Sequence, residues 1–262
     1  MTSHTFMSFL EVLSTVFAFL TAIRMFRCGL HRRYPCLFGY LVFLVPDSLC
    51  PALMNMESRT YFWFWVWTEP VTWIFEILVV QELCGLVLEQ YRGLRSLGRW
   101  AAYGGILLST AISMAALIPR IPSALSSRSR LLSLLFGGDR GVNLALGIFL
   151  LVMTLLARRY PVPLKRNVLV NAALFTALFF GTTLAALLRT VFDFRVAVPV
   201  DLALTVLGSA SLVVWFFALT PEGERNRVEL AHYRREDEVR VLERLDEINQ
   251  WVLRLSHANI SG

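Results

Sequence analysis

The chain has 262 residues, of which 56% are hydrophobic and 17% charged, and its mean hydropathy is +0.58. A water-soluble domain carries a charged residue at about one position in four, so that class is excluded; the apolar excess falls in blocks of about 20 residues, the length that crosses roughly 30 Å of hydrocarbon. The net charge of +6 does not imply nucleic acid, because the basic excess lies before Glu222, in the links between apolar blocks, where it sets membrane orientation, and from Glu222 onward acids outnumber bases 9 to 7.

In chain order the pattern predicts an all-α polytopic membrane protein: a seven-transmembrane-helix bundle over residues 1–221 and a cytoplasmic helical tail over 222–262. The first span, 5–26, is apolar apart from Glu11. Arg24 and Arg27 follow it and no basic segment precedes it, which predicts an anchor with its N-terminus outside and not a cleaved signal. The second span, 35–55, contains Pro46, Asp47 and Pro51. The third, 61–88, opens YFWFWVWTEPVTWIFEILVVQEL and holds Glu69, Glu76 and Glu82 in apolar surroundings. The fourth is 100–118.

A long link, 119–141, follows. Its middle, 125–136, alternates Ser and Arg with Leu and reads as an amphipathic helix lying in the interface, with a re-entrant segment as the alternative. The fifth span is 142–157. The sixth, 167–190, bears Ala173, Ala177, Gly181 and Ala185 at four-residue intervals, small residues that let helix backbones approach. The seventh, 198–219, starts near Asp201. The links after the first, third and fifth spans hold eleven Arg and Lys residues against seven in the others. The more basic side is cytoplasmic, so the N-terminus is expected outside and the C-terminus inside, in a cell membrane of the bacterial inner-membrane kind.

In the tail, Val241, Leu245, Ile248, Val252 and Leu255 alternate spacings of four and three over 241–255. That is a short heptad seam for a second copy of the chain or a cytoplasmic protein partner. The tail's net acidity argues against a helix lying on the membrane surface.

Carboxylates at bilayer depth are costly and point by default to function. Glu69 and Glu76, seven apart, lie on one helical face with Trp65 and Trp73. Together with Glu11 and Asp47 they form the candidate ligand or proton pocket, open outward, in which tryptophan faces add cation–π attraction. The bland alternative is that these acids are hydrogen-bonded to Ser, Thr or Asn171 on neighbouring helices and that the tryptophans form an interfacial belt. No basic residue lies at matching depth; Arg189 is the nearest.

Several chemistries are excluded. Lys165, the one lysine, lies between spans, so no retinal Schiff base is expected. The histidines, His4, His31, His232 and His257, sit at span ends or outside them, which argues against haem, zinc or any other metal. The four cysteines have no CxxC spacing, no base accompanies a buried serine, and no phosphate-binding glycine loop occurs. The expectation is a protein without cofactor and without a catalytic set. It is read as a non-enzymatic sensor, receptor-like or scaffold module; the alternatives are a proton- or cation-coupled transporter or channel using the intramembrane carboxylates, and, third, a membrane enzyme. The lipid bilayer is the expected surrounding partner.

Overall fold

A computed structural model describes residues 3–54, 58–88, 127–159, 164–192, 197–225 and 227–228, with isolated positions at 100, 103–105, 107, 108, 111 and 246. The fourth span at 100–118 is therefore covered only in fragments. The tail residues Val241, Leu245, Ile248, Val252 and Leu255 lie outside the described residues.

The described residues are almost wholly helical. The long helices are α1 (Ser3–Arg27), α2 (Pro35–Leu53), α3 (Arg59–Val87), α4 (Ser127–Arg159), α5 (Arg166–Phe192) and α6 (Ala197–Ala218). A single helical turn, α7 (Pro221–Arg225), follows, and two short segments, β1 (Leu164–Lys165) and β2 (Arg227–Val228), pair antiparallel. Five of the helices are long and apolar enough to cross a membrane, and α2 contributes a shorter apolar stretch, Pro35–Cys50. The chain is a multi-pass membrane protein.

The six long helices close a ring. Helix α1 packs on α2 and α6, and the sequence continues α2–α3–α4–α5–α6, with α3 also touching α5 across the middle. Inside lie Met25, Leu37, Leu41, Val79, Leu146, Phe175, Phe179 and Trp215, all buried. Outside, Phe9, Val16, Phe19, Trp67, Ile74, Leu155, Leu184 and Phe217 are exposed on every helix but α2, where Val42 and Leu49 play the same part. An apolar coat of this extent would aggregate in water; in lipid it costs nothing, because acyl chains are as apolar as the core.

The structure differs from the sequence reading between 125 and 141. Residues from Ser127 onward do not form a separate interfacial helix; they run unbroken through Gly137-Gly138-Asp139 into α4, 33 residues in all and about 50 Å long. The two glycines are buried and serve as contact points, not breaks. A Cβ on Gly138 would lie 2.7 Å from the Trp73 ring of α3, so only glycine allows α3 and α4 to come this close.

Two polar devices hold the ring at the end where α1 finishes and α2 begins. Gly29, with φ 71°, turns the chain out of α1. Pro35 then opens α2, and the carboxylate of Glu82 on α3 accepts the next two free amides, from Cys36 at 3.0 Å and Leu37 at 3.1 Å. Glu82 is thus a helix cap supplied from another helix, closing two of the amides that the start of any helix leaves unpaired.

The second device is a knot around Glu224 of α7. Its Oε1 is 2.6 Å from Lys165 Nζ and 3.2 Å from Arg33 Nε, while Tyr34 donates its hydroxyl to Oε2 at 2.7 Å. Burial, then the Glu224 contact, pushes the Tyr34 phenol above the ordinary tyrosine range, so it remains a donor. Beside it, buried Asn167 donates to the Thr220 carbonyl at 2.8 Å, and Gly223 donates its amide to Thr220 Oγ1 at 3.1 Å. There is no room for a side chain at 223, since a Cβ would sit 2.2 Å from Asn167 Oδ1.

Gly223→Ala is therefore expected to lose about 1–3 kcal/mol of stability by overpacking, read from reversible unfolding in mixed micelles. Glu222→Ala, one residue away on the exposed side, should leave the curve in place. Superposable curves for the two variants would refute the knot.

Candidate functional site

Helix α3 carries Pro70 inside it, next to Glu69. Proline removes a backbone donor and frees a carbonyl, and local side chains rework this stretch: Thr72 donates to the Thr68 carbonyl at 3.1 Å and Thr68 to that of Trp65 at 3.4 Å. Thr68 also hydrogen-bonds the Asp47 carboxyl of α2. Asp47 is thus tied to α3 just where Glu69 begins the acidic face.

Glu69 and Glu76 come together with a third acid, Asp139 of α4. The three are within electrostatic reach of one another. The indole N–H of Trp73 lies between two of them, 3.3 Å from Asp139 Oδ1 and also hydrogen-bonded to Glu69. Asp139 Oδ1 accepts a second bond from Asn143 Nδ2 at 2.6 Å, and Asn143 Oδ1 lies 3.1 Å from the Thr182 hydroxyl of α5, whose one proton it shares with the Leu178 carbonyl at 2.8 Å. The chain Glu69–Trp73–Asp139–Asn143–Thr182 crosses three helices. Glu76 Oε2 is buried and has no hydrogen-bond partner among the described residues.

Arg189 has a larger part than its sequence position indicates. It pairs directly with Asp201 at the start of α6 and also lies within electrostatic reach of Asp139. The guanidinium thus serves Asp201 and Asp139 from the end of α5. Trp65 stands apart from the acids, its ring against Phe136 of α4 at 5.5 Å.

Glu11 is not part of this group. It is exposed on α1 and lines a separate cavity of about 390 Å³ enclosed by α1, α2 and α6, with Tyr61 of α3 and Leu178 of α5 at its edges. The lining falls into two layers by position along the helices. Glu11, Ser48, Tyr61 and Thr205 lie toward the end where α1 begins; Ala18, Tyr40, Leu212 and Trp215 lie about two turns deeper. Trp215, 1% exposed, packs on Phe175 at 5.0 Å, and Phe175 packs on Tyr40 at 5.8 Å. The Trp215 indole N–H has no partner among the described residues.

The two sites meet at Tyr40. This side chain lines the cavity and is also within electrostatic reach of Glu76 and Asp47. The candidate pocket residues thus divide: Glu69, Glu76, Asp47 and Trp73 join a packed polar network between α2, α3 and α4, while Glu11 belongs to the open cavity. Sequence reasoning missed Asp139, Tyr40, Tyr61 and Trp215. Asp139 and Asn143, four apart and followed by Leu146 and Leu150, held a helical signal that the flanking glycines masked. Among the described residues no group of three or more His, Cys, Asp or Glu is placed to hold a metal ion.

Comparison with family models, with curated proteins and with solved structures returned no match for the chain.

Asn143→Ala removes an amide that satisfies Asp139 and Thr182 together. It is expected to cost about 1–3 kcal/mol in mixed-micelle unfolding, and Asp139→Asn combined with it should add less than its own single effect, because the two act as one unit. Fully additive losses would show that the network is not one.

Proposed function

We propose that this protein is a non-enzymatic, receptor-like sensor of the membrane that takes a small ligand into the cavity between α1, α2 and α6. The cavity itself is the observation that carries this reading: about 390 Å³, with one acid and three aromatic side chains in its lining, at the small end of the size range of ligand pockets. It is an acidic, aromatic pocket built around Glu11 and not around Glu69.

The pocket's walls also reach the opposite end of the bundle. Helices α1 and α6 both line it, and further along Arg24 of α1 donates to the Phe216 carbonyl of α6 and lies over the Phe216 ring at 5.1 Å. A ligand that changes how α1 sits on α6 would therefore bear on the segment leading to Glu224 and the tail. In this reading the chain has seven spans, an outer N-terminus and a cytoplasmic C-terminus in a bacterial inner membrane, and residues 241–255 engage a partner or a second copy.

A proton- or cation-coupled transporter is the second reading. It draws on Glu69, Glu76 and Asp139 standing within electrostatic reach of one another and on Tyr40, which adjoins both them and the cavity.

Gly208 of α6 allows a direct test. It lines the cavity, and a Cβ there meets nothing within 4 Å. Gly208→Leu should fill the pocket without a clash, and in a helix leucine is better tolerated than glycine. Compounds from a small-molecule set that raise the melting temperature of the wild-type protein in nanodiscs should fail to stabilise Gly208→Leu. Equal stabilisation of both would sink the receptor reading. Uptake of such a compound into liposomes under a proton gradient, lost in Glu76→Gln, would replace it with transport.

Orientation has its own check. A reporter fused after Gly262 should read cytoplasmic, and a periplasmic signal would reverse the topology.

A further inference from the structure

We infer that the ligand of the α1–α2–α6 cavity is an organic monocation, an ammonium group on a compact aromatic or aliphatic body. The inference rests on the receptor reading of the same cavity and adds the ligand's chemistry.

Charge comes first. Glu11 is the one charged side chain among the described residues that line the cavity. No basic side chain is among the described residues of that lining: Arg24, at the far end of α1, is engaged with the Phe216 carbonyl and ring, and Arg189 with Asp201. An anionic ligand would meet Glu11 with no cation in the lining to offset it. A cation would gain an ion pair with the Glu11 carboxylate, which is exposed on α1 and reaches the lining.

Hydrogen-bond polarity agrees. A hydroxyl has one proton to give. Thr205 gives its proton to the Asp201 carbonyl at 2.9 Å; the Ser14 hydroxyl lies 2.8 Å from the Leu10 carbonyl and 2.7 Å from Ser209 Oγ, so its proton is taken up within the contact of α1 and α6. What these two side chains can offer the cavity is therefore lone pairs. With the Glu11 carboxylate they form an acceptor surface on the α1 and α6 walls, near the end where α1 begins. An ammonium group, with up to three N–H donors, is complementary to it; a carboxylate or a phosphate is not.

The remaining lining suits the rest of such a molecule. Tyr61 lies at the same end of the cavity as Glu11, and Tyr40 and Trp215 lie at the other, so aromatic rings are available both for a cation and for an apolar body. The volume of about 390 Å³ corresponds to about 13 water-sized groups. That holds one ring and a short chain but not a two-chain lipid.

The test uses three probes of nearly the same shape: 2-phenylethylamine, neutral 2-phenylethanol and anionic 3-phenylpropionate. Each is titrated by calorimetry against the full chain in phosphatidylcholine nanodiscs. The amine is expected to bind saturably and at least about tenfold more tightly than the alcohol, a difference of about 1.4 kcal/mol. Glu11→Gln, a change on an exposed side chain that leaves the fold alone, should erase that preference, and Gly208→Leu should abolish binding of all three. If the alcohol or the propionate binds as tightly as the amine and Gly208→Leu still blocks it, the cation inference falls and the pocket stands. If no probe shows saturable binding that Gly208→Leu removes, both fall.

Discussion

A polar group inside hydrocarbon must find its partner within the protein, and the organisation of this bundle follows from that constraint. It accounts for Glu82, which sits on α3 yet closes two unpaired amides of α2. It also explains the hydroxyls. Ser14, Thr15, Thr154, Thr176 and Thr205 each donate to the carbonyl four residues back in their own helix, so that most of the polar surface of the spans is internally closed. Thr21, Asn171 and Thr183 keep buried polar atoms without a partner among the described residues; the other exceptions are the Glu69–Trp73–Asp139–Asn143–Thr182 chain, which needs three helices to complete it, and the indole of Trp215.

These exceptions give the bundle two polar regions of different character. The acid network is packed, built from side chains that bond one another, and it binds α3 to α4 and α5. The cavity at α1, α2 and α6 is open, and its polar atoms face space. Tyr40 is common to both. The cavity, about 390 Å³, falls within the size range of ligand pockets, whereas the acids of the network are spent on bonds to one another's neighbours. That asymmetry is the reason for placing ligand binding in the cavity and a structural part of the acids in the network.

How much of this was legible in the sequence depends on the range of the interaction. The helices were legible, because apolar runs of this length and a bilayer leave one choice of backbone. So was the shared face of Glu69 and Glu76, which is a matter of helical periodicity. The company kept by each acid was not. Glu82 meets Cys36 across 46 positions of chain, and no local pattern marks a cap given to another helix. Asp139 was obscured by its glycines, which resemble a turn until Trp73 is seen lying against Gly138. Glu11 shares a depth with Glu69 but faces another way, and depth alone does not determine which helices are neighbours. Trp65 and Trp73 looked equivalent on one face, yet one packs on a phenylalanine and the other bonds two carboxylates.

The Glu224 knot also bears on where the membrane domain ends. Composition changes at Pro221, but the residues just after it are fastened to the links that follow α1 and α4 through Arg33, Tyr34 and Lys165, and β2 is zipped onto β1. Mechanically, α7 and β2 form a clamp with three side-chain anchorages and not the start of a free arm. A twist or pull arriving from the tail would act on two separated links at once and would load α1, α2 and α5 together. A seam between copies further along the tail would thus act on the bundle as a wrench acts on a frame, through a fixed grip instead of a slack tether.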